Sequence, residues 1–125
     1  MNDPGMNVLT EQVIGSAIEV HRALGPGYLE STYSKALAIE LGYRGIPFEK
    51  ESFVSLNYRG ETVGEGRLDF LVQDKLILEL KAVDQLHPIH TAQAISYLKA
   101  TGHKLALLIN FNVPVLKDGI KRIAH

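Results

Sequence analysis

The chain has no cysteine, which excludes disulfides and thiolate metal sites and agrees with a reducing compartment. It has no apolar run approaching the roughly 18 residues of a membrane-spanning helix. Its start, MNDPGMN, offers neither the basic opening nor the apolar stretch of a signal peptide. These absences predict a cytoplasmic protein that enters no membrane. A surplus of positive charge is also missing: the formal net charge is −1, so a nucleic-acid partner would have to be held by a local basic patch. GETVGEG, at 60 to 66, is glycine-rich but opens no helix, which excludes a loop that cradles phosphates on a helix N-terminus. His87 and His90, in HPIH, lack the further ligands of a zinc site and read as exposed histidines at a helix start. No Ser-His-Asp or Cys-His arrangement is suggested.

What is present describes one domain over residues 1–125. The length suits a single continuous core, and 46% apolar with 22% charged residues is a globular balance. TEQVIGSAIEVHRAL, from Thr10 to Leu24, carries a helical apolar stripe with Thr10 as N-cap, and Gly25-Pro26-Gly27 ends it. A second helix is predicted from Leu29 to Leu41, with Tyr33, Ala36, Leu37 and Leu41 on one face, Glu30 on that same face, and Gly42 as its stop. The period then turns strand-like: SFVSLNY, a turn at Arg59-Gly60, RLDFLV, a turn at Gln73-Asp74, and KLILELK. TAQAISYLKATG is helical again and closed by Gly102. KLALLINF is a strand covered on both faces, and VLKDGIKRI predicts a short terminal helix. A helix joining two late strands after a hairpin meander predicts a mixed α/β sheet with helices on both faces.

Within RLDFLVQDKLILELKAV, residues 67 to 83, three ionisable groups interrupt a run that otherwise reads as buried sheet. Asp69 and Glu79 are equidistant from Asp74, so a hairpin turning there sets them opposite each other, with Cβ atoms about 4.5–5.5 Å apart. Alternation puts Lys81 on the face of Glu79 and sends Leu68, Phe70, Val72, Leu78 and Leu80 to the other face, into the core. Two carboxylates at that spacing in a partly dry site repel unless one is protonated or a cation lies between them, and Lys81 neutralises only one charge. The pattern suits Mg²⁺, with hard oxygen ligands, open positions for water and a phosphate, and an ammonium beside the attacking water. The competing reading is a solvated sheet face with Lys81 in an ordinary salt bridge. Glu30, and Gln93 with Tyr97 on one face of the later helix, are further polar groups aimed where core residues belong.

GYLESTY, with Gly27, Glu30 and Tyr33, resembles the signature of the GxxExxY proteins, a bacterial and archaeal group in the PD-(D/E)XK nuclease-like superfamily. The resemblance runs from the first helix through LLINF. The superfamily's order of a helical Glu, an Asp, Glu-x-Lys and Gln-x-x-x-Tyr matches Glu30, Asp69, ELK at 79 to 81 and QAISY at 93 to 97. The Pro that precedes the Asp in the superfamily's name is replaced here by Leu68.

The resemblance implies a restriction-endonuclease-like fold and metal-assisted hydrolysis of phosphodiesters in DNA or RNA. By the same resemblance, Asp69 and Glu79 with the Leu80 carbonyl would bind Mg²⁺ or Mn²⁺, and Glu30 would hold a metal-bound water or a second ion. Lys81 would orient the nucleophile, Gln93 would position the scissile phosphate, and Tyr97 would pack beside it or donate to a phosphate. The alternative is a non-catalytic module that binds nucleic acid or protein in the same cleft. The near-neutral charge favours that module, or an enzyme that draws its substrate affinity from a homodimer or a partner protein.

Overall fold

The first helix begins at Asp3-Pro4, where both parts of a helix start stand side by side. The Asp3 carboxylate accepts the Met6 N–H at 3.2 Å, and Pro4 fills the first turn, where no backbone donor is needed. The computed structural model describes residues 3–125, and α1 spans Pro4–Leu24. Thr10 is therefore no cap. It lies buried inside the helix, and its hydroxyl donates to the Met6 carbonyl at 2.7 Å. Gly25, at φ 72°, ends α1 as expected.

Helix α2, Glu30–Tyr43, runs past Gly42. The left-handed residue that stops it is Gly45 (φ 70°), after which Ile46 N–H returns to the Leu41 carbonyl at 2.9 Å. Tyr33 fixes the corner between the two helices. Its buried ring stacks on Phe111 with centroids 4.6 Å apart. Its hydroxyl donates to the Gly25 carbonyl at 2.6 Å and accepts the Tyr28 N–H at 3.2 Å. Gly27, at φ 104°, holds a conformation that a side chain resists. GYLESTY is thus a bent connector locked by Tyr33, and it sets where Glu30 enters α2. Tyr33→Phe should keep the ring packing, leave the Gly25 carbonyl without its donor and cost about 1–2 kcal/mol in thermal or urea melts.

Three antiparallel strands follow: β1, Phe48–Tyr58; β2, Glu61–Val72; and β3, Leu76–Lys81. Arg59 and Gly60 both have positive φ, the primed turn whose twist matches its strands. GETVGEG does not merely precede a strand: from Glu61 onward it belongs to β2, and a register shift beside Leu56 and Asn57 absorbs the irregularity. Helix α3, Pro88–Thr101, starts earlier than expected, with Pro88 in its first turn, and ends at left-handed Gly102. Strand β4, Leu105–Asn110, is buried throughout and runs parallel to β3.

The C-terminal segment is not an α-helix. A 3₁₀ turn at Leu116–Gly119 leads into β5, Ile120–Ala124, antiparallel to β4. Gly119 lies so close to the Asn110 carbonyl that a Cβ would collide with it, which turns the chain back along β4. Ile120 and Ile123 then pack into opposite core layers, a period of strand and not of helix.

The sheet order is β1-β2-β3-β4-β5. Leu76, Leu78, Leu80, Leu107 and Ile109 pack under α1 and α2, while Ile77, Ala106 and Leu108 pack under α3. This is a restriction-endonuclease-like α/β arrangement, with three α-helices and a five-stranded mixed sheet among the described residues. One side chain departs from the expected alternation: Phe70 and Val72 face α1 and α2, but Leu68 packs with the α3 layer. The change of face occurs at Asp69. Across from it on β1 stands Glu51, held at φ 57° between pairs that keep one register. Among the described residues, no helix is long and apolar enough to cross a membrane.

Candidate active site

The β2–β3 ladder pairs Val72 with Leu76, Leu71 with Ile77 and Phe70 with Leu78, and there it stops. The next pair in this register is Asp69 and Glu79, and side chains take over the bonding. Asp69 N–H donates to Glu79 Oε2 at 2.9 Å, and Leu80 N–H donates to Asp69 Oδ2 at 2.7 Å. Each carboxylate thus ties itself to the other strand's backbone with one oxygen. Among the described residues no buried side-chain polar atom lacks a partner, so the second oxygen of each reaches solvent. A strand residue directs its N–H and C=O to the same side, so the Leu80 carbonyl points into this gap as well. The Lys81 carbonyl points the other way and accepts Phe111 N–H at 2.9 Å.

Electrostatically the gap is short of positive charge. Glu79 is only 5% exposed; burial, reinforced by the negative charge of Asp69, pushes its carboxyl up to about 8. Burial also raises Asp69, although the Leu80 N–H, Lys81 and Arg67 act against the shift. Glu30 is raised by partial burial and then by Asp69. Lys81 is half-buried and, among the described residues, makes no ion pair with either acid. It stands opposite Asn110 in the β3–β4 register. The buried Asn110 amide accepts Val83 N–H at 3.0 Å and donates to Val83 O at 2.9 Å, which fixes the backbone just beyond Lys81.

A cleft of about 370 Å³ joins Asp69, Glu79 and Lys81 to Gln93 and Tyr97 of α3, with Phe53, Glu65, Gly66 and Arg67 on its β1–β2 wall. Tyr97 reaches this wall because Gly66 has no side chain; a Cβ there would lie 2.5 Å from the ring. The Gln93 amide lies 3.5 Å from the Tyr97 hydroxyl. The fully buried residues of α3 are Ala94 and Leu98; exposed Gln93 faces the cleft, while half-buried Tyr97 packs against the α3 core layer and lines the cleft as well. Glu30 is likewise exposed. It begins α2 one turn before buried Tyr33, and lines an adjoining cleft with Lys35, Lys50, Glu51, Arg67 and Asp69. Asp69 and Arg67 form the wall the two clefts share. His87 and His90 close the start of α3 on each other, His87 N–H donating to His90 Nδ1 at 3.0 Å.

Among the described residues, no three His, Cys, Asp or Glu side chains converge tightly enough to hold an ion by themselves. The available donor set is two carboxylate oxygens and the Leu80 carbonyl. That set fits Mg²⁺, which is held through one or two carboxylates and keeps several waters. Phe53 and Arg67 are cleft residues that the sequence pattern did not single out. Arg67 opens the same acidic stretch two positions before Asp69, and Phe53 follows from it only through the β1–β2 register.

A family model described as the PD-(D/E)XK nuclease superfamily matches residues 7–123. No curated protein and no solved structure matches the chain.

Proposed function

The chain belongs to the PD-(D/E)XK nuclease superfamily, and from that premise we propose that it hydrolyses phosphodiester bonds in nucleic acid with the help of Mg²⁺ or Mn²⁺. The observation that carries this reading is the pair of carboxylates fixed across the end of the β2–β3 ladder and, among the described residues, in no ion pair. A structural salt bridge would have put the Lys81 ammonium on one of them.

In this reading Asp69, Glu79 and the Leu80 carbonyl hold the ion, which supplies Lewis acidity and an acidified water. Lys81 holds the attacking water by hydrogen bonding and steadies the negative charge that develops on the phosphate. Glu30, next to Asp69 in the adjoining cleft, orients a second water or ion. Gln93 positions the scissile phosphate, and Tyr97 backs it. We assign the chain to the GxxExxY grouping on Gly27, Glu30 and Tyr33, whose local roles in the bent connector support the motif.

The second reading, a non-catalytic nucleic-acid or protein binding module, draws on the net charge of −1; in either case a homodimer or a partner protein could add the affinity this charge withholds. Single- and double-stranded DNA and RNA incubated with Mg²⁺, Mn²⁺ or EDTA separate the two. Cleavage that needs the metal and is lost in Lys81→Ala supports hydrolysis; metal-independent binding without cleavage selects the module.

A further inference from the structure

Phe53 is 72% exposed. A lone exposed ring is ordinary on a protein surface, but this one stands in a polar cleft with Asp69, Glu79 and Lys81. Its strand neighbour Val54 already supplies the α3 core layer. Among the described residues the Phe53 ring has no aromatic or cationic partner. Directly opposite it in the β1–β2 register is Arg67, exposed and, among the described residues, in no ion pair. Cross-strand partners hold their Cβ atoms about 4.5–5.5 Å apart, so an unpartnered phenyl ring and an unpaired arginine leave neighbouring positions on the cleft wall.

Those two groups have complementary uses on a nucleotide. An aromatic face stacks on any base, and a guanidinium takes a phosphate in a planar fork. In a duplex the faces of a base are covered by its neighbours, and only an unpaired nucleotide offers one. Beyond Arg67 the adjoining cleft sets Lys50 and Lys35 among Glu30, Glu51 and Asp69, so cations stand beside the acids on a chain whose net charge gives nucleic acid no general attraction. We propose that Phe53 and Arg67 form a nucleotide subsite beside the acidic pair, which stacks an unpaired base and holds its phosphate, so that the substrate is single-stranded DNA or RNA. The proposal rests on the hydrolytic reading for its place in the reaction, but its binding step stands without it.

Fluorescence anisotropy in EDTA and in Ca²⁺ tests it, with labelled strands of about 12 nucleotides, a length within the usual range for single-strand sites. The strands are DNA, RNA, the DNA duplex and an abasic deoxyribose-phosphate backbone. The single strands should bind more tightly than the duplex. Phe53→Ala should weaken single-strand binding about 10-fold, as loss of one stacked base does. Phe53→Trp should preserve it, and binding of the abasic strand should not depend on Phe53. Arg67→Ala should weaken every strand, abasic included, and flatten the salt dependence by about one phosphate contact. Both side chains are exposed, so unchanged melts will show that the variants fold.

Wild-type affinity in Phe53→Ala, a preference for duplex, or no binding of any strand overturns the proposal. A wild-type dimer in sedimentation that Phe53→Ala dissolves also overturns it, and makes this face a contact between copies. Metal-dependent cleavage that persists unchanged in Phe53→Ala sinks the subsite and leaves hydrolysis standing. Phe53-dependent binding with no cleavage of any strand does the reverse.

Discussion

Lys81→Ala and Asp69→Asn should each lower the metal-dependent cleavage rate by about 10²–10³-fold, the usual loss when one preorganised electrostatic contact to the transition state is removed. The two variants fail for different reasons. Asparagine keeps an oxygen to accept the Leu80 N–H and so preserves the shape of the gap, but it removes one of the two charges that would hold the proposed ion. Alanine at 81 leaves both acids in place and removes the ammonium that, in the proposed reaction, would face the water and the phosphate. Because Lys81 makes no ion pair among the described residues, its loss should change stability by less than about 1 kcal/mol, in the range of a side chain with no buried partner. A steady-state assay with a melt of each variant checks both halves. Full activity in Lys81→Ala would remove it from the chemistry, and a large loss of stability would return it to a structural role.

In metal-free buffer Glu79→Gln should be more stable than the wild type, and the difference should grow with pH. Glu79 has its carboxyl raised from 4.5 in an ordinary setting to about 8 in the fold. Between those values the native state binds a proton that the unfolded chain has released, so wild-type stability falls as pH rises from about 4.5 through about 8. Asp69 and Glu30 are shifted in the same direction and steepen the fall. Glutamine does not titrate, and its carbonyl can still accept the Asp69 N–H that Glu79 accepts. Near pH 8.5 the variant should lead by about 1–3 kcal/mol, less than the full linkage of about 1.36 kcal/mol per pH unit because solvent reaches one carboxylate oxygen. That lead amounts to several degrees of melting temperature. Mg²⁺ should close the gap by raising the wild-type melting temperature and leaving the variant nearly unmoved, since an ion that binds only the folded state stabilises it by mass action. A purely structural carboxylate predicts the opposite, a loss of stability in Glu79→Gln and no response to metal.

The acidic pair was legible because a hairpin turn dictates register. Once Gln73 and Asp74 are read as the turn, the facing of Asp69 and Glu79 follows from counting, and Lys81 follows from alternation. Leu68 was not legible. Alternation assigns it to the layer of Phe70, and the switch of face at Asp69 coincides with a positive φ at Glu51 across the ladder, which nothing in the local residue pattern announces. The helix starts failed in a different way. Thr10 is a good cap by type, but Asp3-Pro4 supplies a better one earlier, and α1 simply runs through the threonine. At the C-terminus LKDGIKRI has helical propensity, yet the close packing of Gly119 on Asn110 and the open edge of β4 pull Ile120–Ala124 into the sheet, a tertiary effect that local propensity does not contain. Glu30, Gln93 and Tyr97 were found by motif; helix face placed the exposed Glu30 and Gln93 too deep, while half-buried Tyr97 does pack against the α3 core layer beside the cleft. Phe53 carries no signal of its own until the register opposite Arg67 is known.

Calorimetric titration of Mn²⁺ into wild type and Asp69→Asn, each at pH 8 and at pH 6, tests the central claim that Asp69 and Glu79 jointly form a divalent-ion site. The wild type should bind at pH 8 and more weakly at pH 6, where the ion must displace the proton that burial keeps on Glu79, and Asp69→Asn should show no binding at either pH. Equal binding by the variant, or none by the wild type at pH 8, would contradict it.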